Sequence, residues 1–200
     1  MEGQVRSNQL FITFVIALLA SIILVPSPGL RAEKPEKADS QQIERGKYLV
    51  DTIGGCNDCH TPKVFSEKGP QPDMSRMLSG HPADEKLPGI PPGVIAPDQW
   101  GALTNSGLTA WAGPWGISFA ANLTPDHETG LGSWTEEIFI KAIRTGKHLG
   151  EGRDILPPMP WPGFAAMTDH DLKAMFAYLR TIKPIKNAVP DPLPPVSMQK

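Results

Sequence analysis

The chain has 200 residues and a formal net charge of -2 at neutral pH, with only two cysteines among 22 prolines and 19 glycines. So balanced a charge excludes the basic footprint of a nucleic-acid binder, and two cysteines cannot build a disulfide scaffold. The length suits one domain, loop-rich because of its proline and glycine, with five tryptophans and seven phenylalanines to supply the bulk of a core.

An uncharged apolar stretch, Leu10 to Val25, comes first, preceded by Arg6 and followed by Pro26, Pro28 and Leu30-Arg31-Ala32. It is slightly long for a signal-peptide core and short for a membrane-crossing helix. Residues 1–32 are therefore expected to be a signal peptide or an N-terminal membrane anchor associating through residues 10–25. Either outcome delivers the remainder to the periplasm, soluble or tethered to the inner membrane. Residues 33–40 read as a linker.

From Gln41 to Ile53, helical spacing places Ile43, Gly46, Leu49, Val50 and Ile53 on one stripe, with Glu44, Lys47 and Asp51 facing away. A mid-helix glycine is about 1 kcal/mol less favourable than alanine, so Gly46 on the apolar face predicts close approach by another helix.

Cys56-Asn57-Asp58-Cys59-His60 follows at once. Two thiols three residues apart with an adjacent imidazole form the attachment site of a c-type haem, each thiol adding to one vinyl group while the histidine reaches the iron. A redox dithiol or half of a zinc site is the competing reading, but zinc would need further thiols that this chain lacks. Cys56 and Cys59 are thus expected to bind one haem c covalently, with His60 as an iron ligand.

Residues 64–124 form the least periodic region, rich in Pro and Gly and carrying Trp100, Trp111 and Trp115, and read as an ordered loop insertion against the haem. A second helix is predicted from Trp134 to Gly146. Ser133-Trp134-Thr135-Glu136 matches a capping box, Trp134, Ile138, Phe139, Ala142 and Ile143 share one side, and Gly146 is placed as terminator. A third helix opens at Thr168 with Asp171, buries Leu172, Met175, Phe176, Tyr178, Leu179 and Ile182, and ends before Pro184. Residues 185–200 read as a proline-rich extended tail.

Met159 lies in Ile155-Leu156-Pro157-Pro158-Met159-Pro160-Trp161, where three prolines restrict the backbone and reduce the entropy lost on holding the loop against the ring. It is the expected sixth ligand, whereas Met175 belongs to a helix core. His148 reads as a helix-end charge, His170 as a first-turn residue, and His81 and His127 as loop residues. The metal ligands are therefore predicted to be His60 and Met159.

The order of parts resembles the class I c-type cytochromes. A closer resemblance, to one haem domain of the cytochrome subunits of membrane-bound alcohol and gluconate dehydrogenases, is carried by Gly46-Lys47-Tyr48-Leu49, Cys56 to Thr61, Asn122 to Asp126, Thr129 to Gly132, Ala142 to Gly146, Pro158 to Trp161 and Asp171 to Leu179. It implies an all-α fold, helices around one covalently bound haem over residues 41–184, with residues 64–124 as an insertion. It also implies an electron carrier without catalytic residues of its own, cycling Fe(III)/Fe(II) in a respiratory or dehydrogenase-linked chain. The expected donor is a dehydrogenase or another cytochrome, and the acceptor an oxidase or quinone-linked complex. A tethered subunit of one oxidoreductase complex is the alternative, followed by a haem sensor or peroxidase, which would need a displaceable sixth ligand.

Overall fold

A computed structural model describes residues 39–96 and 98–195, so the expected leader and Met198 lie outside the described residues. Among the described residues no helix is long and apolar enough to cross a membrane. Helix α1 spans Ser40–Tyr48, capped by Asp39, whose carboxylate accepts from the Gln42 backbone N–H at 2.6 Å. The same winding continues as a π-turn over Leu49–Ile53, closed by Gly54 N–H donating to the Leu49 carbonyl. The wider turn rotates the last residues off the predicted stripe: Leu49 and Val50 are buried while Ile53 is 61% exposed.

Helix α2 is Cys56–His60, α3 is Glu136–Thr145, α4 is Trp161–Ala165 and α5 is Asp169–Leu179. The start of α3 differs from the sequence reading. The cap of α3 is Thr135, not Ser133: its hydroxyl accepts from the Ile138 N–H, so the helix starts two residues late. Thr168 caps α5 as expected, and Gly146 ends α3 in the left-handed conformation at φ 65°.

The core lies between α1, α3 and α5. Gly46 sits where α1 meets α5, and a Cβ there would lie 1.9 Å from the Ala174 carbonyl oxygen, so only glycine allows the approach. Leu172, Met175, Phe176 and Leu179 of α5 are buried against Leu49, Val50 and Phe139, with the Phe139 and Phe176 rings 5.2 Å apart.

The expectation of an all-α fold is overturned. Strands β1 (Lys63–Ser66) and β2 (Gly69–Pro72) make an antiparallel hairpin, and β3 (Leu103–Thr104), β4 (Ala110–Gly113) and β5 (Gly116–Phe119) make a second antiparallel sheet. All five fall within or beside the segment read as loop. Strands of two to four residues are too short to display alternation, and Gly and Pro within and between them mimic loop composition. Beyond the backbone ladders, side-chain hydrogen bonds fix the β3–β4 turn: Asn105 Oδ1 accepts from the Thr109 and Ala110 N–H groups at 2.9 Å each, and Asn105 Nδ2 donates to Glu85 at 2.7 Å.

The proline-rich tail is stitched to this region. Asn187 Nδ2 donates to the Ser79 and His81 carbonyls at 2.7 and 2.8 Å, and its Oδ1 accepts from Ala83 N–H. Leu193 exchanges two backbone hydrogen bonds with Ile117 of β5, at 2.8 and 2.9 Å.

Candidate functional site

Five residues are too few to form a helix unaided, so α2 must be held from outside. At its start Gly55 takes the left-handed conformation (φ 56°) that turns the chain from the π-turn into the helix. At its end the Lys63 ammonium donates to the carbonyls of Asn57, Asp58 and Thr61 at 3.2, 2.9 and 2.6 Å, a cation on the negative pole of the helix. On its side, Asn57 donates to Asp51 at 3.0 Å, and Asp51 also accepts from Tyr178 of α5 at 2.9 Å and from Lys47. Burial first, then the Asp51 bond, pushes the Tyr178 phenol upward, so it remains a donor. The motif is therefore fixed to α1 and α5 together.

Cys56 and Cys59 are both unpaired and half-buried. Burial, followed by the Asp51 charge, pushes the Cys56 thiol up to about 12; burial and Asp58 raise Cys59 as well. These are protonated thiols at neutral pH, unlike the depressed nucleophile of a redox dithiol.

His60 carries the most informative contact. Its Nδ1 lies 2.7 Å from the Ala121 carbonyl oxygen, and because a carbonyl only accepts, the proton sits on Nδ1 and the Nε2 lone pair is free for a metal. Burial keeps the imidazole below its ordinary range, opposed by the Ala121 bond, so the neutral ligand form prevails. Ala121 is placed by two crossing strands of chain: Gly80 N–H donates to His60 O at 2.7 Å, His81 N–H to Ala120 O, and Leu123 N–H to Leu78 O. Gly80, at φ 82°, is required there, since a Cβ would lie 2.5 Å from the Ala120 oxygen.

Met159 is half-buried in the loop leading into α4. That helix returns to the motif: a Cβ built on Gly54 would lie 3.2 Å from both Cys56 Sγ and the Phe164 ring, so the residues after Met159 and the first thiol meet at one point. Of the other methionines, Met175 is core, Met77 and Met167 pack on the core and Met74 is 60% exposed. His81 is buried with Nδ1 2.9 Å from the Thr109 hydroxyl and its ring against Phe119. His148 lies edge-on to Trp134, while His127 and His170 are exposed. Sequence reasoning missed Ala121, Lys63 and the Asp51–Asn57–Tyr178 cluster. A backbone carbonyl has no sequence signature, although Asn122-Leu123-Thr124, quoted in the resemblance, marks the turn that follows it: Asn122 Oδ1 accepts from Thr124 N–H and Oγ1.

A cavity of about 190 Å3 between Lys63, Phe65, Arg76, Glu85, Asn105 and Thr109 includes none of Cys56, Cys59, His60 or Met159 in its lining.

No protein-family model matches the chain. It is similar to the cytochrome c subunit of alcohol dehydrogenase (quinone) from Gluconobacter oxydans (strain 621H), 30% identical over 90% of this chain and 30% of that protein. It is also similar to the fructose dehydrogenase cytochrome subunit of Gluconobacter japonicus, 33% identical over 84% of this chain and 28% of the relative. The gluconate 2-dehydrogenase cytochrome c subunit of Pantoea cypripedii is 30% identical over 78% of this chain and 27% of its own length. The chain thus spans less than a third of the curated relatives it matches. It resembles dehydrogenase cytochrome c subunits over most of its own length.

Proposed function

Starting from that likeness, we propose that this chain carries single electrons on one haem c, held by thioethers at Cys56 and Cys59, with His60 Nε2 and the Met159 sulfur as axial ligands. The observation that carries the reading is the His60–Ala121 hydrogen bond beside two unpaired, protonated thiols. It leaves a neutral Nε2 donor on the same helical turn as both attachment points, the donor set a covalent haem needs, short of the four ligands of a structural zinc site and more than a redox dithiol uses.

The bound haem would supply reversible Fe(III)/Fe(II) chemistry. The Ala121 carbonyl keeps the proton on His60 Nδ1 and the ring oriented; the Met159 thioether would favour the ferrous state; and apolar side chains packed on the core, Leu123, Phe164, Met77 and Ile143, would help exclude water and disfavour the extra charge of the ferric state. No residue is needed to make or break a substrate bond. The domain proposed to do this is residues 41–184, exported to the periplasm by residues 1–32 as a cleaved signal or a retained anchor. A dehydrogenase or another cytochrome would reduce it, and an oxidase or quinone-linked complex would oxidise it. A diffusing carrier needs contacts of under about 1,200 Å2 with each. That the relatives are subunits favours a second reading, a cytochrome tethered within one dehydrogenase complex.

Spectroscopy of the purified holoprotein tests the ligand set. The ferric protein should show the weak near-infrared band of sulfur ligation, and Met159→Ala should abolish it and open a site for carbon monoxide. A wild type that binds carbon monoxide readily refutes Met159. Haem that still resists acid-acetone extraction after Cys56→Ala and Cys59→Ala together refutes the thioethers.

A further inference from the structure

We propose that Ser118, inside the insertion, is a positioning residue for Met159: it pins the methionine loop through the Pro157 carbonyl and so sets how readily the sulfur leaves the iron. The inference rests on the reading of Met159 as a ligand.

Ser118 lies on β5 and is 7% exposed. Its hydroxyl has one proton and two lone pairs. The Trp115 indole N–H donates to Oγ at 3.3 Å, which leaves the hydroxyl proton for an acceptor; the Pro157 carbonyl takes it at 2.5 Å, with the Trp111 carbonyl a distant second at 3.4 Å. The hairpin behind Ser118 is itself fixed. Ala112 pairs with Ile117 and Trp111 with Ser118 across β4 and β5, Ala120 N–H donates to Thr109 O, and Ile117 is bridged to Leu193 of the tail. On the other side of Met159, the Trp161 ring covers Gly146, where a Cβ would lie 2.4 Å from Trp161 Cε2. Met159 is therefore suspended between two fixed points, each two residues away. The Trp161 point lies against the C-cap of α3. The Pro157 point belongs to the insertion, and Ser118 supplies its hydrogen bond.

Releasing one point should leave the haem attached and the helices intact while easing displacement of the sulfur. The experiment is imidazole titration of the ferric holoprotein, followed by loss of the near-infrared sulfur band, beside denaturant unfolding of the same samples. Ser118→Ala should bind imidazole roughly three- to tenfold more tightly, the loss expected for one buried hydrogen bond. Ser118→Thr, which keeps the hydroxyl, should stay within about twofold of wild type, and Trp115→Phe should move in the same direction as Ser118→Ala but less. A merely structural serine would lower the unfolding midpoint and leave imidazole affinity unchanged, and that result overturns the proposal. Should Ser118→Ala not fold, unchanged affinity in Trp115→Phe overturns it instead. If Met159→Ala retains the sulfur band, the ligand reading fails and this proposal with it; if Met159→Ala loses the band while Ser118→Ala binds imidazole as wild type does, only the positioning fails.

Discussion

The helices around α1, α3 and α5 and the strand-bearing segment from Lys63 to Phe119 are held together by different means. In the helical part the buried residues are Leu49, Val50, Phe139, Leu172, Met175, Phe176 and Leu179, packed around a glycine contact. In the insertion, beside Leu78, Ala110 and Ala112, they are largely polar: Ser79, His81, Asn105, Thr109, Ser118, Asn122 and Thr124. Packing is non-directional and graded, so it tolerates volume-conserving change. Buried polar groups depend on each partner, and removing one strands the other. The Cys56–His60 motif lies at the junction, with Asn57 tied on the helical side to Asp51, which also accepts from Tyr178, and His60 tied to Ala121 near the end of the insertion.

The sharpest break in this contrast should come from Gly46→Val. With a Cβ required 1.9 Å from the Ala174 oxygen, α1 and α5 must separate, and a loss of more than about 3 kcal/mol is expected in denaturant unfolding of the holoprotein. A loss below about 1 kcal/mol would mean the helices do not cross there. Asn105→Ala tests the other side. It leaves the buried Thr109 and Ala110 N–H groups without acceptors, at about 2 kcal/mol, and should speed amide exchange in β4 and β5 while that of α5 is unchanged.

Acid should sharpen the same division. Burial lowers the pKa of His81, opposed by Glu85, so the unfolded chain takes up a proton near pH 6.5 that the folded protein resists. Stability should therefore fall as pH drops below about 6.5, and His81→Gln should flatten that slope relative to wild type; an unaltered slope places the titrating group elsewhere. The smallest effect belongs to the helical surface. The Arg45 hydrogen bond, ahead of its charge, holds Asp171 below the usual carboxylate range at 2.8 Å. Its folded pKa is depressed, so the contribution is present above about pH 4 and is lost as pH falls toward the folded value. Asp171→Asn should remove that component of acid unfolding and leave the His81 slope intact.

The short Cys56–His60 motif, the stripe on α1, the glycine crossing and the capped closing helix were all legible from residue order, because each is a local pattern of spacing within a few turns. The π-turn shifted the phase of that stripe at Ile53, and the cap of α3 moved to Thr135, since the hydroxyls of Ser133 and Thr135, two residues apart, compete for one role. Neither the small sheets nor the supports of the site could be read in this way. Asn187 reaches Ser79 across 108 positions, Tyr178 reaches Asp51 across 127, and Ser118 reaches Pro157 across 39. Single hydrogen bonds between such distant partners leave no periodicity along the chain, and a backbone carbonyl such as that of Ala121 belongs to every residue type alike. Residue order thus sets two thiols and an imidazole side by side at Cys56, Cys59 and His60, while the folded chain decides the tautomer of His60, because only folding brings an acceptor to Nδ1 and leaves Nε2 free.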